Sequence, residues 1–144
     1  MIQGSCLCGG VKFEFKQAIG PFELCHCSRC RKVSGSAFLA AVVVEREGFR
    51  FLQGQELVKT YEAPVRKTPP GYKSIFCGVC GSPVPDPNDA SPHFEITAGT
   101  LDDDPGLRPD KHIFSEYKSP WFAITDDLPQ MDEAELRRHR LANK

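Results

Sequence analysis

The residues in this sequence best suited to chemistry are its seven cysteines, which fall into three tight clusters. These are Cys6-Leu7-Cys8, Cys25-His26-Cys27-Ser28-Arg29-Cys30 and Cys77-Gly78-Val79-Cys80. Thiols two or three residues apart have the spacing of metal ligands. A secreted disulfide framework would call for an even number of cysteines and a leader segment, and neither is evident, so metal binding is the better expectation. In Cys77-Gly78-Val79-Cys80-Gly81 the final glycine is expected to take positive φ and close a knuckle in which backbone amides point at thiolate sulfur. Cys8-Gly9-Gly10 repeats the arrangement more tightly.

A structural zinc takes four soft ligands, and the simplest partition joins the first pair to the last. Cys6, Cys8, Cys77 and Cys80 would then form a closed structural site whose metal binding is coupled to folding. Cys25, Cys27 and Cys30 remain. Three protein ligands leave a fourth position for water or substrate, which is the count of a catalytic site. Two alternatives stay open. His26, His93 or His112 could complete the triplet into a second structural site, with His26 the least suited because the central residue of an extended Cys-His-Cys points away from both neighbours. The triplet could instead be redox-active, since Arg29, Arg31 and Lys32 would lower thiolate pKa.

The elements that must position these cysteines read as mostly β. Val11, Phe13 and Phe15 alternate with Lys12 and Glu14, the period of a half-buried strand leaving the first cysteine pair. Further strands are expected over 22–26, 38–45, 49–53, 57–61, 72–76 and 94–98. Twelve glycines and twelve prolines gather between these runs, and 83–92 is expected to be an irregular surface loop. Only 131–141 reads as helix, with Asp132 and Glu133 near its start and Arg137, Arg138 and Arg140 near its end, as the helix dipole favours.

Bulk properties narrow the function. At 144 residues the chain fits one domain, 1–144, with a core over about 3–129 and a C-terminal helix and tail over 130–144. Eighteen basic against nineteen acidic residues give a net charge of −1. That balance provides no field for phosphate backbones or anionic lipid, so no nucleic-acid partner and no membrane partner is expected. The longest apolar run, 38–44, is far short of the roughly 20 residues of a spanning helix, and a cytoplasmic protein is expected.

The assembled motifs resemble the glutathione-dependent formaldehyde-activating enzyme (GFA) family. The likeness rests on Gly4-Ser5-Cys6-Leu7-Cys8-Gly9, on Cys25 through Lys32, on Ser34-Gly35-Ser36 and on Phe76-Cys77-Gly78-Val79-Cys80-Gly81. Gly99-Thr100-Leu101-Asp102, His112-Ile113-Phe114 and Ser119-Pro120-Trp121 extend it in order and spacing. The resemblance implies a tent-like, zinc-pinned β fold, with the outer cysteine pairs on a structural metal and the triplet on a catalytic one. It also implies carbon-sulfur lyase or synthase chemistry on a glutathione adduct of an aldehyde, such as S-hydroxymethylglutathione, or on another small thiol.

A three-cysteine zinc could take a substrate thiol as fourth ligand and hold it deprotonated at neutral pH. Arg31 and Lys32 are candidates to pair with glutathione carboxylates, or simply offset thiolate charge. Ser34 is a candidate donor to substrate, or part of an ordinary turn. His112, Asp102 and Trp121 read equally well as a satisfied histidine, a turn carboxylate and a core aromatic. The competing function is a non-catalytic, zinc-ribbon-like binding module in which both metals are structural.

Overall fold

A computed structural model describes residues Met1–Lys144. Its elements in chain order are β1 (Ile2–Ser5), β2 (Lys12–Phe15), β3 (Ala18–Cys25), α1 (Ser28–Ser34), β4 (Leu39–Glu45), β5 (Arg50–Gln53), β6 (Val58–Glu62), β7 (Lys73–Cys77), β8 (His93–Thr97), β9 (Lys111–Ile113), β10 (Gln130–Met131) and α2 (Glu133–Ala142). The fold is mostly β, with a short C-terminal helix. The chain gathers into two compact units, one of Met1–Gly20 with Val42–Leu107 and one of Pro21–Ala41 with Arg108–Lys144.

In the first unit β2 sits between β1 and β5 in an antiparallel sheet, and β6 pairs antiparallel with β7 from Val58 opposite Cys77 to Glu62 opposite Lys73. Phe13 and Phe15 of β2 are fully buried. Glu14, expected to face solvent between them, is buried too. Its carboxylate accepts from Arg50 Nε at 2.7 Å and from Gln3 Nε2 at 3.3 Å, and these bonds compensate the loss of water. Phe49 contacts Phe13, Phe51 and Phe94, and the Arg46 guanidinium lies 3.9 Å from the Phe94 ring centroid. A second patch of core joins Cys6, Val11, Cys77 and Val84, with Leu57, Val58 and Ile75 packed on it. Segment 83–92 is a loop fixed by Asx turns at Asp86 and Asp89.

In the second unit β3 runs parallel to β9, with Glu23 opposite Lys111, Leu24 opposite His112 and Cys25 opposite Ile113, and β10 continues beside β9. The C-terminal helix begins two residues later than the sequence expectation, because Asp132 is its N-cap. Glu135 N donates to Asp132 Oδ1 at 2.8 Å, and Asp132 N donates to Glu135 Oε2 at 2.9 Å, a complete capping box. Leu136 is the helix's buried anchor. Arg140 reaches Glu23 Oε2 at 3.0 Å and Arg137 pairs with Glu133, so two of the helix's three arginines are engaged in ion pairs.

Two expectations need correction. Residues 131–141 are not the only helical segment: Ser28–Ser34 forms α1, directly after the second cysteine of the triplet. Seven residues make a helix too short to persist alone, so its caps matter. The Cys27 sulfur accepts from Cys30 N at the start, and Gly35 at φ 64° ends it with its amide on Arg31 O. Trp121 is not a core aromatic, since 71% of its surface is exposed.

Candidate functional site

The first unit brings Cys6, Cys8, Cys77 and Cys80 together, with all four sulfurs within 4.8 Å of one another. Cys6 Sγ lies 3.5 Å from Cys8 Sγ, and Cys8 Sγ 3.9 Å from Cys77 Sγ. Zinc–sulfur bonds of about 2.3 Å in a tetrahedron place sulfurs about 3.8 Å apart, so the four thiols fit zinc as they stand. Two turns build the arrangement. Gly9 at φ 75° and Gly81 at φ 79° each close a knuckle that few other residues could follow. Val11 N then donates to Cys6 Sγ at 3.2 Å, and Val79 N to Cys77 Sγ at 3.4 Å.

These contacts set the protonation pattern. Burial opposes ionisation of Cys6, but the Val11 amide and the neighbouring thiols outweigh it and hold its pKa below the usual value. The Ser82 hydroxyl, followed by the Ser82 amide, draws Cys80 down to about 5. The Gly10 amide lowers Cys8, but Cys6 and the other sulfurs prevail and push it up to about 11. Sulfurs that compete for protons in this way are a charge cluster suited to a dication.

The second unit brings Cys25, Cys27 and Cys30 together, again within 4.8 Å. Cys25 ends β3, Cys27 caps α1, and Cys30 lies on the first turn of that helix. Hydrogen bonds from Cys25 and then Cys30 favour the thiolate of Cys27 and depress its pKa despite burial. Bonds with Cys27 and then Cys30, together with burial, push Cys25 up. Three sulfurs and no imidazole make up this group. His26 and His112 are instead bonded to each other, His26 Nε2 to His112 Nδ1 at 2.7 Å.

The other expected site residues lie on α1. Arg31 Nε donates to the His26 carbonyl at 3.2 Å, so part of its guanidinium holds the triplet's own backbone. Lys32 is exposed. Ser34 Oγ lies 2.8 Å from Cys30 O and 3.2 Å from Phe38 O, which commits its single proton to backbone carbonyls at the helix end. Asp102 accepts from Ser5 Oγ at 2.7 Å, as a turn carboxylate would.

Sequence reasoning missed Asp126. Its Oδ2 lies 2.9 Å from His112 Nε2, and that bond holds the Asp126 carboxyl below its ordinary range. Burial, then the charges of His112 and Lys118, draws His26 down to about 4, so its ring is neutral at pH 7. An aspartate in the pair Asp126-Asp127 carries no sequence signal of a bond to a distant histidine.

The family model described as "Glutathione-dependent formaldehyde-activating enzyme" matches residues 1–117 of this chain. The chain belongs to that family. A Halomonas elongata protein named "Putative glutathione-dependent formaldehyde-activating enzyme" is 30% identical over 128 residues, covering 86% of this chain and 81% of its own length. A crystal structure of a Rhodobacter sphaeroides protein superimposes with a TM-score of 0.52 at 24% identity, over 74% of this chain and 91% of that one. That likeness establishes the shared fold. Membership of the family fits both cysteine groups, and no helix is long and apolar enough to cross a membrane.

Proposed function

We propose that this chain is a zinc-dependent carbon-sulfur lyase or synthase acting on the adduct of an aldehyde with glutathione or another small thiol. The observation that carries the reading is the difference between the two cysteine groups: four sulfurs gather in one and three in the other. Cys6, Cys8, Cys77 and Cys80 would hold a closed structural ion, and Cys25, Cys27 and Cys30 an open one. Bound at the triplet, zinc supplies Lewis acidity that keeps a substrate thiol deprotonated at neutral pH.

The chain's own residues do the rest. The Cys27 position at the start of α1 keeps its sulfur against the Cys30 amide, which favours the ionised form that a metal requires. The Arg31 guanidinium and the Lys32 ammonium, on the same short helix, supply positive charge for the carboxylates of a glutathione-like thiol. Because Ser34 is committed to the backbone, substrate binding rests on Arg31 and Lys32 ahead of Ser34. The 1–144 chain works as one GFA-type domain in the cytoplasm, with a small-molecule thiol as its partner.

The test is metal stoichiometry under reducing conditions, with and without glutathione, in the wild type and in Cys27→Ser. Two zinc ions falling to one in a folded variant, with glutathione perturbing only the metal that the variant lacks, is the expected result. Two inert ions unaffected by glutathione would favour the binding module with two structural metals. A single ion in the wild type would leave the triplet as a thiol cluster.

A further inference from the structure

Between the two ligands Cys25 and Cys27 stands His26, and every polar handle on it except one ring nitrogen is tied down. Its amide donates to Ile113 O at 3.0 Å, its carbonyl accepts from Arg31 Nε at 3.2 Å, and its Nε2 meets His112 Nδ1 at 2.7 Å. The ring is fully buried. Phe38 lies edge-on at 5.5 Å and Phe122 tilted at 6.1 Å between centroids, so two aromatic rings flank the bond to His112. The remaining nitrogen, Nδ1, has no partner in hydrogen-bond geometry. The Ala37 backbone also acts on the ring, and His112 is the side chain that bonds it.

His112 is in turn oriented from outside. Its Nε2 faces both oxygens of Asp126, at 2.9 and 3.1 Å, which requires a proton on Nε2. A single proton lies between His112 Nδ1 and His26 Nε2, so the protonation of one ring fixes the role of the other. Asp126 also accepts from Leu128 N at 3.0 Å, so the carboxylate is fixed by its own turn. The result is a three-membered chain, Asp126 to His112 to His26, in which each bond orients the next ring. It ends on the residue whose backbone separates two metal ligands.

We propose that His112 and Asp126 are positioning residues for the triplet, setting the ring of His26 and through it the direction in which Cys25 and Cys27 present their sulfurs. In an extended segment the central side chain leaves on the face opposite its two neighbours, so a turn of the backbone that re-aims His26 also swings both cysteines. Low polarity around the imidazole pair strengthens the bond and raises the cost of breaking it. The arrangement does for cysteine ligands what outer hydrogen-bond partners do for metal-bound histidines. This inference rests on the proposed metal at the triplet.

The test measures how fast each metal is lost to excess chelator, and the absorption spectrum of the cobalt(II)-loaded protein, in wild type, His112→Gln and Asp126→Asn. Cys27→Ser identifies which metal belongs to the triplet. The expected result is faster release at the triplet alone, about tenfold in His112→Gln and about threefold in Asp126→Asn, with a shifted thiolate–cobalt band. The double variant should release no faster than His112→Gln, because the residues act in series. Release at the four-cysteine site serves as the internal control, since general loosening would accelerate both. If His112→Gln does not fold, the exposed Asp126→Asn decides the matter. Two metals in the wild type with unchanged release and spectrum in Asp126→Asn would overturn the positioning role alone, whereas one metal in the wild type would overturn it together with the triplet reading.

Discussion

The sulfurs of Cys8 and Cys77 lie 3.9 Å apart although 69 residues separate them along the chain. A contact that distant in sequence closes a long loop, and a metal that holds it contributes its binding energy to folding. Apparent binding energies of about 10 kcal/mol or more for structural zinc are comparable to the whole stability of a domain. Cys8→Ser should therefore lose one equivalent of metal and the cooperative thermal transition of the first unit. Circular dichroism melts and metal analysis check this, and a Cys8→Ser chain that melts like the wild type would show that the packing around Val11 and Val84 suffices without the ion.

Buried charge in the second unit offers a different test. Lys111 and Glu23 face each other across β3 and β9, with Nζ and Oε1 3.4 Å apart and side chains 9% and 6% exposed. Asp110 contacts the same ammonium, and Arg140 reaches Glu23 from α2. Lys111→Met should cost about 3 kcal/mol, the low end for leaving a buried charge without its partner, because Arg140 still serves Glu23. Arg140→Ala should cost less than about 1 kcal/mol, as its half-exposed guanidinium is well solvated. Chemical denaturation gives both numbers, and a larger loss in Arg140→Ala would reverse the assignment.

The cysteine groups were legible because ligand spacing is local: three clusters leave few partitions, and Gly9 and Gly81 announce the turns. Most strands were legible from alternation within a few residues of their ends. The helix Ser28–Ser34 was not, since seven residues give too little helical period and a cysteine is an unusual N-cap. Strands β9 and β10, of three and two residues, are defined by the parallel neighbours they find. The Asp126–His112–His26 chain contains a bond between residues 86 positions apart. Nothing in either histidine's neighbourhood in sequence specifies the other.

Glu14 makes a prediction about acid. Its hydrogen bond from Arg50 is the main reason its carboxyl titrates below the ordinary range, against the opposing effect of burial. A depressed folded pKa means that the group stabilises the fold above its unfolded pKa, near 4.3, and that this contribution fades as pH falls through the folded value. Glu14→Gln should thus be less stable than the wild type at pH 7, and the gap should narrow progressively below about pH 4. Paired denaturation curves at pH 7 and at successively lower pH measure the gap. A difference that stays constant with pH would mean that Glu14 acts through packing.

Gly54 links the first unit's backbone to its metal knuckle. It sits at φ 78°, and a Cβ there would lie 2.1 Å from the carbonyl oxygen of Gly10, two residues after Cys8. The preceding residue, Gln53, already grips this knuckle, with Nε2 3.1 Å from Gly9 O and 3.3 Å from Gly10 O. Gly54→Ala must therefore adopt a left-handed conformation costing about 1 kcal/mol and also push the Cys8–Gly10 turn away, which should bring the total loss to about 3 kcal/mol. The displaced turn should let the four-cysteine metal exchange faster while the triplet metal is unaffected. A melt with chelator competition reads both, and Gly54→Ala with wild-type stability would mean that the knuckle yields without disturbing its sulfurs.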